Sequence, residues 1–112
     1  MEVEVKKRTA SVNVVKIKGE IDLYQSSFLR QKLSAYVDDR PTHLIINLKD
    51  VDYIDSSGLA VFIEAFQKLR TKKKQIVLCA LQKRIQEILS LARLNEILTV
   101  ADTEQHAARF IK

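Results

Sequence analysis

The most constraining feature of the chain is an abrupt change of hydrophobic period across one polar turn. His43 to Leu48, HLIINL, is a short apolar run rich in β-branched residues, and it leads through Asp50, Val51, Asp52, Tyr53 and Ile54 to Asp55-Ser56-Ser57-Gly58. Directly afterwards Leu59, Phe62, Ile63, Phe66 and Leu69 recur at the spacing of one helix face. The first run reads as a buried strand, because a strand covered on both faces needs no polar alternation. A buried strand feeding a helix implies β-α crossovers and a sheet with parallel strands.

The remaining segments extend that alternation. Val3 and Val5, then Val12, Val14 and Ile17, predict an N-terminal hairpin with Lys6 to Ser11 as its polar break. Phe28, Leu29, Leu33, Tyr36 and Val37 predict a helix over Tyr24 to Asp38, stopped by Asp38, Asp39, Arg40 and Pro41. A helix from about Ser57 to Arg70 follows the central turn, and Gln75 to Ala80 predicts another strand. Ile85, Ile88, Leu89 and Ala92 mark a third helix, and Ile97 to Val100 a short last strand. Asp102 with Gln105 three residues on resembles the capping box of a final helix. The expected fold is α/β, a mixed sheet of four or five strands with about four helices packed against it. With 112 residues and 46% hydrophobic content, residues 1–112 are read as a single domain with one modest core.

Several chemistries are excluded. The chain has only two glycines, Gly19 and Gly58, too few and too far apart for a P-loop or a dinucleotide fingerprint. His43 and His106 are the only imidazoles, and no Cys/His spacing points to zinc, so neither metal nor cofactor is expected. No glycine precedes Ser56 where a nucleophile elbow needs one, and the chain reads as a non-enzyme. The lone cysteine, Cys79, sits in the apolar run IVLCAL as a small core hydrophobe. No run approaches the roughly 18 apolar residues of a spanning helix, and the charged start MEVEVKKRTA lacks the apolar core of a signal peptide. The protein is expected to be cytoplasmic.

The net charge of +5 is concentrated in Lys6-Lys7-Arg8 and in LRTKKK, up to Lys74. The second cluster falls at a helix end, where cations complement the dipole. No aromatics are interleaved with the basic residues, so direct nucleic-acid binding is not expected.

The turn Asp55-Ser56-Ser57-Gly58 carries the most unusual chemistry, at the end of a strand and the start of a helix, where sites gather in parallel sheets. Ser56 or Ser57 serves as N-cap on the plainest reading. A phosphate on either would add about −1.5 to −2 charges beside Asp55, tolerable at a helix N-terminus but repulsive to a partner docked over it. Residue chemistry alone does not choose between the two serines.

Lys18-Gly19-Glu20-Ile21-Asp22, the strand Leu44 to Leu48, Tyr53-Ile54-Asp55-Ser56-Ser57-Gly58-Leu59 and Leu94-Asn95-Glu96-Ile97-Leu98 resemble the STAS domains of anti-sigma factor antagonists, along nearly the whole chain. The resemblance implies that the unphosphorylated protein binds an anti-sigma factor that is also a serine protein kinase, freeing a sigma factor. Phosphorylation by that kinase ends the association, and a PP2C-type phosphatase restores it. By position the phosphoacceptor is Ser56. Ser57 supports the turn, Gly58 allows close backbone approach, and Glu20 and Asp22 join Asp55, Ser56, Ser57, Gly58 and Leu59 in the implied partner-binding surface. The alternative is a STAS subunit or scaffold of a stress-signalling or lipid-transport complex, its serines only capping the helix. Two departures stand out: Ala60 replaces a glycine common after this motif, and the basic surface suits an acidic partner or an anionic surface rather than the usual kinase.

Overall fold

A computed structural model describes residues 1–111. Two strands, β1 (Glu2–Thr9) and β2 (Val12–Ile21), form the hairpin. They lead into α1 (Leu23–Ser34), a π-type turn (Ala35–Asp39), β3 (His43–Ile54) and α2 (Ser56–Thr71). Then come β4 (Ile76–Cys79), α3 (Lys83–Leu91), a short 3-10 turn (Leu94–Glu96), β5 (Thr99–Ala101) and α4 (Glu104–Arg109). The sheet has five strands in sequence order, with β1 antiparallel to β2 and every other pair parallel. The mixed α/β architecture expected from the alternation of periods is the one found.

The helices divide unequally between the faces. Val15, Ile17, Leu44, Ile46, Leu48 and Leu78 pack under Leu29 and Leu33 of α1, Phe62 and Leu69 of α2, and Ile85 and Leu89 of α3. The other face buries Val12, Val14, Ile45, Val77 and Cys79 under Ala107 of α4 alone. Burial pushes the Cys79 thiol up to about 11, with the Glu104 carboxylate adding to the shift, so it packs as an unreactive hydrophobe.

Several boundaries differ from the sequence expectation. The hairpin turn is confined to Ala10 and Ser11, because Lys6 and Lys7 stay in the backbone ladder opposite Val14 and Asn13. An edge strand accommodates charged side chains, which also discourage pairing with other chains. The first helix ends at Ser34, and Arg40 N–H donates to Ala35 O in an i→i+5 bond. Val37 stays buried in the stripe of Leu29 and Leu33, spaced four residues apart, where an uninterrupted α-helix would also have placed it. Lys72 Nζ, at the end of α2, donates to Val37 O at 2.6 Å and seals the turn.

The last helix is capped by Thr103, whose Oγ1 accepts from His106 N–H at 3.0 Å, and not by Asp102. Asp102 is taken up in the bend after β5, which runs over Thr99–Ala101 rather than Ile97–Val100. At the opposite end of the sheet His43 is buried at the start of β3, and its Nδ1 accepts from Gln75 N–H at 2.9 Å. Burial, helped by Lys74, lowers its pKa.

Candidate functional site

Two strand ends lie side by side, Ile21 of β2 opposite Ile54 of β3, with Glu20 opposite Tyr53. Each strand is followed by an aspartate in extended conformation and then by a helix. Asp22 Oδ1 accepts from the Tyr24 and Gln25 N–H groups at 3.0 and 3.1 Å, which caps α1. Asp55 Oδ1 accepts from the Ser57 and Gly58 N–H groups at 2.9 and 3.2 Å, which caps α2. Its second oxygen, Oδ2, accepts from Leu23 N–H at 3.1 Å, so one carboxylate serves the N-termini of two helices. Asp55 N–H in turn donates to Ile21 O at 3.2 Å.

This corrects the expectation that Ser56 or Ser57 is the N-cap. The cap oxygen comes from Asp55, because an aspartate one residue earlier reaches the same N–H groups and adds negative charge at the positive end of the dipole. Ser56 is the first residue of α2 and is exposed, while Ser57 is half-buried. The cap therefore leaves the Ser56 hydroxyl uncommitted among the described residues.

Beneath this surface the packing is close. A Cβ on Gly58 would stand 2.6 Å from Ile21 Cγ2, 2.7 Å from Ile21 O and 2.8 Å from Ile54 Cγ1, which lets α2 start directly on the two strand ends. Leu59 is buried beside it, so Gly58 and Leu59 shape the site from below while Glu20 and Ser56 stand at its surface. Gly19 has φ +108° and sits where the β2–β3 register shifts, a conformation suited to glycine. Glu20, Asp22, Asp55, Ser56, Ser57, Gly58 and Leu59, the residues expected in the partner-binding surface, come together at the C-terminal ends of β2 and β3, whereas Leu94 to Leu98 lie before β5 at the other end.

The sequence reading missed an apolar component. Leu23 is 65% exposed and Tyr24 87% exposed in the first turn of α1, and Tyr53, under the guanidinium of Arg84 at 6.0 Å, is 37% exposed. Counting back from Leu29 and Leu33 at helical spacing places Leu23 and Tyr24 off the buried stripe, and that was the available signal.

The STAS domain model matches residues 2–107 of the chain. The chain belongs to the STAS family. This STAS chain is 31% identical over 102 residues to the anti-sigma-B factor antagonist of Listeria monocytogenes, covering 91% of this chain and 90% of that one. Its structure superposes on an anti-sigma factor antagonist from Mycobacterium paratuberculosis with a TM-score of 0.87 at 25% identity, covering 98% and 92% of the two chains. It also matches the phosphorylated form of the Bacillus cell fate determinant SpoIIAA, with a TM-score of 0.75 at 19% identity over 99% and 100% of the chains. The last likeness is one of fold.

Proposed function

We propose that this STAS protein is a non-enzymatic anti-sigma factor antagonist of the cytoplasm, and that phosphorylation of Ser56 switches its partner binding. Its curated relative carries the name of such an antagonist. The observation that carries the reading is the division of labour at the start of α2: Asp55 performs the capping, and the adjacent exposed serine is left with an accessible hydroxyl.

In the unmodified state the partner, an anti-sigma factor that is also a serine protein kinase, docks over Ser56 with Leu23, Tyr24 and Tyr53 as apolar contacts and Glu20 and Asp22 as the polar rim. The kinase transfers a phosphoryl group to Ser56 Oγ. The added charge of about −1.5 to −2 is compatible with the fold, because it lies at a helix N-terminus. The same charge, set among Glu20, Asp22 and Asp55, opposes re-docking through bulk and repulsion. A PP2C-type phosphatase resets the surface.

Phosphopeptide mapping of protein isolated from its native cells tests the reading on the tryptic segment 50–68. Phosphate on Ser56 is the expected result. An unmodified segment across growth and stress conditions would instead favour a fixed STAS subunit.

A further inference from the structure

The charge of the chain is divided between the two ends of the sheet. Glu20, Asp22, Asp52 and Asp55 lie at the C-terminal ends of β2 and β3, around Ser56, and outnumber Lys18, Lys49 and Arg84 at the same end. The opposite end holds the starts of the parallel strands, since Val12 pairs with His43, Leu44 with Ile76 and Val77 with Thr99. α2 and α3 each return the chain to the start of the next parallel strand, so their C-termini finish at that end. α4 finishes there too, as Gln75 Nε2 donates to Phe110 O at 2.8 Å.

This end is cationic and partly apolar. Arg8 comes from the hairpin, Arg40 precedes β3, Lys73 and Lys74 precede β4, Arg93 precedes β5, and Arg109 ends α4. All but Lys74 are exposed. Among the described residues the acids at this level are Asp38, Asp39 and Glu96, and Asp38 is paired with Lys68 at 3.3 Å. Leu91 is 86% exposed, Ile97 48% and Phe110 39%, in the segments that carry Arg93 and Arg109.

Because these cations come from separate turns ending at one level, they spread across an end of the molecule instead of following one groove. A nucleic acid strand would call for cations along its backbone interleaved with aromatic platforms. A broad cationic end with exposed Leu91 and Ile97 and the part-exposed Phe110, whose ring packs on His106, matches the chemistry of an anionic bilayer surface, where headgroups meet the cations and apolar side chains enter the interface.

We propose that this end of the protein docks peripherally on membranes containing anionic phospholipid, with Arg40, Lys73, Arg93 and Arg109 facing the headgroups and Leu91 and Phe110 entering the interface. The twelve residues of β3 separate this end from Ser56, so a docked molecule still presents its switch surface to a partner. The proposal goes beyond the antagonist reading and does not depend on it.

Co-sedimentation of the full chain with phosphatidylcholine vesicles, with and without about one third phosphatidylserine, tests it. Binding is expected to the anionic vesicles only, and to vanish near 1 M salt, where the screening length falls to about 3 Å. Combining Arg40→Ala with Arg109→Ala is expected to lower the partition coefficient about 25-fold, roughly fivefold per cation. Leu91→Ser is expected to weaken binding without a change of charge, and Ser56→Asp to leave it unchanged. Equal partition into neutral vesicles, indifference to the arginine pair, or salt-sensitive binding to duplex DNA with none to anionic vesicles would overturn the proposal.

Discussion

Asp55 Oδ2 holds the Leu23 N–H at 3.1 Å while Oδ1 of the same carboxylate caps α2, so the starts of two helices share one anchor. Removing it should loosen α1 and α2 together. Asp55→Ala is expected to lower the unfolding free energy by about 2 kcal/mol, the upper range for loss of a cap. Asp55→Asn, which keeps one oxygen acceptor, should cost about half as much. Urea denaturation of the two variants checks the order, and an Asp55→Asn variant as stable as the unmodified protein would show that the second oxygen contributes nothing.

Gly58 sets helix propensity against packing. Alanine is favoured over glycine in a helix by about 1 kcal/mol. Its methyl group, however, would meet Ile21 O at 2.7 Å and Ile21 Cγ2 at 2.6 Å, and a backbone oxygen does not move cheaply. Overpacking of this kind costs about 1–3 kcal/mol, so Gly58→Ala should be net destabilising. A thermal midpoint at or above that of the unmodified protein would contradict the close approach.

His43 supplies a pH dependence of defined sign. Its Nδ1 accepts from Gln75 N–H and its folded pKa is lowered, first by burial and then by Lys74. The unfolded chain, with an ordinary pKa near 6.5, therefore binds more protons than the folded chain below that pH. This contribution to stability is complete above about pH 6.5 and is lost as pH falls through the lowered folded value. Chemical denaturation between about pH 7.5 and 5 should show the decline, and His43→Gln should flatten it while still offering an acceptor to Gln75.

Tyr24 separates binding from folding. It is 87% exposed in the first turn of α1, so Tyr24→Ala should change stability by no more than about 0.5 kcal/mol. If it anchors the partner, the same change should weaken binding to the anti-sigma factor at least about tenfold, as truncation of interface aromatics does. Calorimetric titration beside a thermal melt distinguishes the two effects.

Much of the fold was legible from pattern and length: the run Leu44 to Leu48 is short and rich in β-branched residues, as a covered strand is, and Leu59, Phe62, Phe66 and Leu69 recur at the spacing of a helix face. The boundaries were less legible. Charged Lys6 and Lys7 read as a turn because side-chain polarity hides backbone pairing at a sheet edge. Val37 read as α-helical because a π-type turn leaves the apolar stripe unbroken. At the site, the serines and acids were legible from residue type and motif. Caps fell one residue from expectation at both Asp55 and Thr103, since neighbouring hydroxyls and carboxylates compete for the same N–H groups. The exposed Leu23 and Tyr24 became visible only once α1 had been set against the sheet.

The central claim is that phosphate on Ser56 ends partner binding without unfolding the protein. The most direct measurement is the affinity of the cognate anti-sigma factor for this protein with and without stoichiometric phosphate on Ser56, with circular dichroism recorded on both forms. The account predicts unchanged spectra and binding weakened at least about a hundredfold, or about 2.8 kcal/mol. Equal affinity of the two folded forms would contradict it.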